Sequence, residues 1–331
     1  MVESNIPIET ERAASRSSTR REFLGTVAAG SALAGAIGLG AAPPAAAGAA
    51  AGADGSKADL LPAIQLGPHR VTRLILGGNP IYGYSHFNGI FDRHLRDYHT
   101  PERVEGLLRA AEAAGINTWQ NSHAPRTLED VERCRSAGIR FHWLLLGKPD
   151  WDRQPEIIAE AAKKKPIGIA PHGSLAERLH RAGKIDELKD LLKRIRDTGV
   201  LVGLSSHNPA VIELAEEKGW DIDYHMCCLY YLTRPREEKE KLLGEVPMGE
   251  IYLPSDRERA LKTVRAAKKP CLVYKVFAAG RSDLSPEGIQ RTLKATLAAI
   301  KPSDAMIVGM FQEFGDQVSA NARAVREASV R

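Results

Sequence analysis

Residues 73–80 read Arg73-Leu74-Ile75-Leu76-Gly77-Gly78-Asn79-Pro80, an apolar run that ends in a glycine pair. A run this short and this apolar suits a strand covered on both faces, as in a parallel sheet. The residues after it decide between two architectures. An open doubly wound sheet would carry a Gly-x-Gly-x-x-Gly phosphate loop here, and Gly77-Gly78-Asn79-Pro80 lacks that spacing. The same unit, apolar run then amphipathic segment, recurs eight times from here onward. Strands are expected at 73–76, 116–120, 141–146, 167–170, 200–204, 224–229, 271–277 and 305–308. Eight strand–helix units in this length imply an α/β fold of the (β/α)8 barrel type. Ahead of them, Ile64 to Val71 reads as a hairpin turning at Gly67-Pro68.

Proline and glycine punctuate the helices. Thr100-Pro101 offers a cap followed by proline at the first helical position, and Val104, Leu107, Leu108 and Ala111 keep a 3.6 period until Gly115. Further helices are expected at 127–137, 155–164, 174–197 with a break near Gly183, 209–218, 255–268, 286–300 and from about residue 315. The longest insertion is 233–254.

Residues 1–58 have a different character. Thr19-Arg20-Arg21-Glu22-Phe23-Leu24-Gly25 leads into an Ala/Gly-rich apolar stretch over 26–52. This resembles a twin-arginine export signal, read by translocation machinery that moves folded proteins across a bacterial membrane. The resemblance implies a signal peptide and linker over 1–58, one barrel domain over 59–331, and a periplasmic or other extracytoplasmic location. Pro43-Pro44 and the Gly/Ala richness argue against a stable membrane anchor.

The net charge is +5, and basic residues alternate with acids, as in Glu238, Lys239, Glu240 and Lys241. That pattern suits solvated helix faces and excludes a nucleic-acid surface, which would interleave a basic cluster with aromatics. The four cysteines have no metal-finger spacing and are expected as free, buried thiols.

In a (β/α)8 barrel chemistry belongs where strands run out into helices. Those ends hold Asn79 with Tyr82 and Tyr84; Gln120, Asn121, Ser122 and His123; Lys148 and Trp151; His172; Ser205, Ser206 and His207; His225, Cys227 and Cys228; and Tyr274 with Lys275. Titratable groups gathered on one rim are what a reaction requires.

At these positions the chain resembles an aldo/keto reductase over roughly residues 64–328. The likeness rests on Leu66-Gly67 through Gly78, Gly115-Ile116-Asn117-Thr118-Trp119-Gln120, Val202-Gly203-Leu204-Ser205-Ser206, Tyr274 to Gly280, and Val308-Gly309-Met310 to Asn321. It implies a barrel with an N-terminal hairpin, hydride transfer from a nicotinamide (NADP) to a carbonyl, Lys148 and His172 at the catalytic positions, and Ser205, Ser206, Tyr274 and Asn321 on the cofactor. The family's aspartate position is Gln120, and its tyrosine acid is replaced by Pro125, which has no proton to give. Tyr82 or Tyr84 would then supply the acid, its pKa lowered by Lys148. The basic residues expected after the eighth strand are Phe311, Gln312 and Glu313.

Two other readings follow from the same rim. His123, His172 and His207 could hold a divalent metal such as zinc for a lyase, isomerase or hydrolase reaction. A non-catalytic binding barrel is the other. Asn79, Gln120, Asn121 and Trp151 suggest a small, polar, sugar-like ligand beside an aromatic wall.

Overall fold

A computed structural model describes residues 59–329 of the protein. The paired arginines, the apolar stretch and the linker lie outside the described residues.

The hairpin forms as the sequence predicts, with β1 (Ala63–Leu66) antiparallel to β2 (His69–Thr72). Eight parallel strands then close a barrel: β3 (Leu74–Gly77), β4 (Thr118–Ser122), β5 (His142–Leu146), β6 (Gly168–Ala170), β7 (Leu201–Ser206), β8 (Tyr224–Cys228), β9 (Cys271–Tyr274) and β10 (Ala305–Gly309). They lie in sequence order around the barrel, with β10 against β3.

Strand alternation sorts the side chains into two cores. Ile75, Leu144, Tyr224, Met226, Leu272, Ala305 and Ile307 face inward. Leu76, Trp119, Trp143, Val202 and Val308 face the helices. Ile64, Leu66 and Val71 of the hairpin join the inner cluster, and Asn117, just before β4, accepts a hydrogen bond from the Thr72 amide at 3.0 Å. The hairpin therefore closes the floor of the barrel. The inner space is filled by Tyr224, wholly buried between two glycines; a Cβ on Gly168 would stand 3.0 Å from its ring. Large against small is how so narrow a barrel packs.

The helices are α1 (Gly89–Tyr98), α2 (Pro101–Ala113), α3 (Pro125–Ser136), α4 (Ile157–Lys163), α5 (Gly173–Arg181), α6 (Glu187–Asp197), α7 (Pro209–Glu217), α8 (Arg236–Leu243), α9 (Pro254–Ala266), α10 (Pro286–Ala299) and α11 (Gln317–Ser329). Thr100, Asn208 and Ser285 cap α2, α7 and α10, each with proline in the first turn.

Three departures from the sequence expectation have physical causes. Helix α1 is a further element that the sequence reading missed: Ile90, Phe91, Leu95 and Tyr98 keep a helical period, but of these only Leu95 is buried. Helix α8, within the 233–254 insertion, buries none. Strand β9 stops at Tyr274 rather than 277, because Lys275 takes a left-handed φ of 64° that ends the extended backbone. No helix among the described residues is long and apolar enough to cross a membrane.

Candidate active site

The barrel mouth is organised by a residue from outside the strands. Glu177 lies on α5 with its side chain 1 % exposed. One of its oxygens accepts from the Ser206 hydroxyl at 2.9 Å, the Asn208 amide at 3.2 Å, the His207 amide, and His207 Nδ1 at 3.1 Å. Burial pushes this carboxyl's pKa up, but the hydrogen bonds and charge of His207, with Thr233 beside it, outweigh burial and hold it below the ordinary value. A carboxylate only accepts, so His207 donates to it through Nδ1. The approach is close: a Cβ on Gly173 would stand 3.0 Å from His207 Nδ1. Glycine at the start of α5 is what lets the helix bring Glu177 beneath β7.

His172 is fixed in the opposite sense. It caps α5, its Nδ1 accepting from the Ser174 amide at 3.1 Å. Nδ1 therefore has no proton, and the neutral ring must carry one on Nε2. Burial, reinforced by His207 and His86, lowers its pKa to about 4. The two imidazoles have ring centroids 6.3 Å apart, and His207 meets Tyr274 edge to face at 5.6 Å. The two imidazoles thus lie side by side, one accepting through Nδ1 from a helix amide and the other donating through Nδ1 to a carboxylate.

The far side of the mouth joins the loop after β3 to the insertion after β8. His86, at φ 58°, contacts Asn79 Nδ2 at 3.3 Å and Glu250 at 2.8 Å. Glu250 also accepts from the Tyr252 hydroxyl at 2.5 Å. Burial raises the Glu250 pKa, but His86, Tyr252 and the nearby Lys275 charge bring it down to about 2. A cleft of 340 Å³ opens between Phe87, Asp92, Glu250 and Arg281.

Of the residues singled out in the sequence, the structure brings together His172, His207 and Tyr274. Gln120 faces inward on β4, buried, its amide without a protein partner among the described residues. Asn79 reaches the mouth through His86. Lys148 lies close enough to His123 to lower its pKa, after burial as the larger cause. No contact among the described residues joins Lys148 to the imidazole pair.

Other residues have structural roles instead. Tyr82 was expected as an acid activated by Lys148; it stacks on Trp119 at 6.5 Å, and burial with Asp130 raises its pKa rather than lowering it. Tyr84 is half exposed on the rim. Asn121 alternates outward and accepts from the Trp143 indole at 2.7 Å. Trp151 is no exposed wall: it is buried against Gly147, with His123 edge-on at 5.5 Å. His225 also faces outward, bonded to Glu216 at 2.8 Å, and Cys227 shares that face among free, buried thiols. Asn321 is buried on α11.

Glu177, His86 and Glu250 escaped the sequence reading because they are not at strand ends. A signal for Glu177 was present: it is the lone acid among Leu175, Ala176 and Leu179 on the apolar face of α5.

The groups implied for the site can be tested against these residues. Of the two serines expected on a nicotinamide, Ser205 is buried and Ser206 is committed to Glu177. After β10, Phe311 packs against Tyr98 at 5.0 Å and Glu313 bonds His94 at 2.7 Å, so an acid stands where the resemblance implies a cation for a nucleotide phosphate. These residues do not fit a phosphate-bearing dinucleotide. Nor do His123, His172 and His207 converge, and no three His, Cys, Asp or Glu among the described residues are grouped to hold a metal ion.

No family model matches the chain, and no curated protein matches it. Solved structures similar to it include a truncated 3-deoxy-D-arabino-heptulosonate 7-phosphate synthase from Thermotoga maritima, at 13% identity and TM-score 0.46, covering 82% of this chain and 89% of that one. Gox0644 in its apo form is similar at 11% identity and TM-score 0.46, covering 82% and 94%. A mandelate oxidase variant with 2-hydroxy-phenylacetamide follows at 16% identity and TM-score 0.45, covering 82% and 78%. The closed parallel (β/α)8 barrel rests on the strand order of this chain itself.

Proposed function

We propose that the barrel mouth catalyses proton transfer at a carbon next to a carbonyl, as an isomerase or lyase acting on a small, polar, sugar-like compound. The observation that carries this reading is the Glu177–His207–His172 arrangement. His207 Nε2 takes the proton, and Glu177 beneath it stabilises the imidazolium that forms. His172 Nε2–H donates to the carbonyl oxygen as negative charge builds there. The neutral His172 has its one N–H at Nε2, aligned for this donation by the bond that Nδ1 accepts from the Ser174 amide. Gln120 and Asn79 offer further polar contacts to hydroxyl groups.

The floor hairpin is in keeping with an aldo/keto reductase ancestry, and hydride transfer is the rival chemistry. It lacks a suitably placed acid and a phosphate site. The paired arginines and apolar stretch support export by the twin-arginine route to an extracytoplasmic compartment.

The test is exchange in D2O. Dihydroxyacetone and a panel of aldoses and ketoses, incubated with the protein, are expected to take up deuterium beside the carbonyl, seen by NMR. His207→Ala and His172→Ala should each slow exchange by about 10²-fold or more. Saturable quenching of tryptophan fluorescence by NADPH or NADH, with no exchange on any compound, would return the site to hydride transfer.

A further inference from the structure

We propose that Lys275 is a covalent catalytic residue, whose amine condenses with the substrate carbonyl to form a Schiff base. This rests on the carbonyl substrate proposed above but on a different set of observations.

The first is the backbone. Strand β9 ends at Tyr274, and the next residue is held at φ 64°; Ala278 and Ala279 follow at 49° and 52°. Non-glycine residues adopt this conformation where the surroundings impose it, and such strain gathers at functional sites. Its consequence is direction. Tyr274 pairs with the inward-facing Cys228, so continued alternation would send residue 275 outward to the helices. The left-handed turn ends that alternation, and the Lys275 amine lies within charge range of Glu250, Cys228 and Arg281, at the mouth.

The second is the amine's lack of a partner. Lys275 makes no ion pair or side-chain hydrogen bond among the described residues, although a carboxylate stands close by. Both Glu250 oxygens are engaged elsewhere, one by His86 at 2.8 Å and the other by Tyr252 at 2.5 Å. A lysine kept for structure would be paired with that acid, whereas this one is half-buried, close to an anion and uncommitted. Burial, opposed by Glu250, lowers its pKa to about 8, which leaves some free amine near neutrality.

The chemistry balances without any further reagent. The neutral amine attacks the carbonyl carbon, forming a C–N bond. The amine's proton passes to the former carbonyl oxygen, which takes a second proton from water and leaves as water. The nitrogen lone pair closes the C=N bond, giving a protonated iminium. The iminium draws electrons from the neighbouring carbon, whose proton His207 then removes to give an enamine. His207 returns the proton to carbon, re-forming the iminium, and water adds to its carbon and displaces the amine, which regenerates lysine and carbonyl.

Reductive trapping tests this. The folded protein, treated with dihydroxyacetone and sodium cyanoborohydride, is expected to gain the mass of the probe less one oxygen atom, and peptide mapping should place the label on Lys275. Lys275→Arg, shown by circular dichroism to be folded, should lose that label; His207→Ala should keep it. Label spread over surface lysines, or on Lys148, with none on Lys275, overturns the proposal. The two readings fail separately: trapping at Lys275 without deuterium exchange removes the proposed reaction alone, and exchange without trapping removes the Schiff base alone.

Discussion

Single residues at the mouth carry opposite assignments that one sequence pattern could not separate. His172 and His207 both follow barrel strands, yet at Nδ1 a helix amide makes the first an acceptor and a buried carboxylate makes the second a donor. Glu177→Gln tests the second. The amide keeps one acceptor for the backbone but no longer stabilises an imidazolium, so kcat should fall by about 10²-fold. Unfolding in urea should show a loss of about 1–3 kcal/mol, because four donors that converge on one oxygen lose the carboxylate charge that strengthens their bonds. His172 gives a pH dependence whose sign is fixed. Burial holds its folded pKa at about 4, below that of the unfolded chain, so between these values the unfolded state binds more protons. Its contribution is complete above about pH 6.5 and is lost as pH falls toward 4, amounting to at most about 3 kcal/mol. Urea midpoints across that window should fall in wild type and flatten in His172→Asn, whose side chain can still cap α5. Tyr82 shows why its role was not legible: an expected acid at the rim becomes core once α3 places Asp130 against it.

At the scale of elements, most of the fold was legible because its signals are local. The apolar run of β5, the Thr100-Pro101 start of α2 and the Asn208-Pro209 start of α7 each follow from residues within one turn or strand. Helix α1 was not legible, because it is held by tertiary aromatic contacts such as Phe91 with Phe311, at 6.2 Å, rather than by a buried stripe. The barrel interior offers a prediction about packing between β6, β7 and β8. Tyr224 is fully buried with a hydroxyl that has no partner among the described residues, and glycines at 168 and 203 make room for its ring. Tyr224→Phe should therefore be neutral or raise stability by about 1 kcal/mol. Gly203→Ala should lower it by about 1–3 kcal/mol through overpacking, without touching the mouth. Thermal and urea unfolding of the two variants check both.

At the scale of the whole molecule, the barrel and residues 1–58 answer different questions. If the paired arginines direct export, Arg20→Lys with Arg21→Lys should leave a folded, active barrel in the cytoplasm; fractionation of expressing cells reads this, and continued export would remove the assignment. The sequence by itself determined the eight strand–helix units, the hairpin ahead of them and which residues fall at the strand ends. Each of these rests on interactions between near neighbours, and strand order in a closed parallel barrel follows the chain. Only the tertiary structure decided which rim residues meet. Glu177 comes from a helix face, Glu250 from an insertion and His86 from a loop, and a left-handed turn re-aims Lys275. Such convergence depends on how elements distant in the chain pack and on a single backbone angle, and neither leaves a periodic trace in the order of the amino acids.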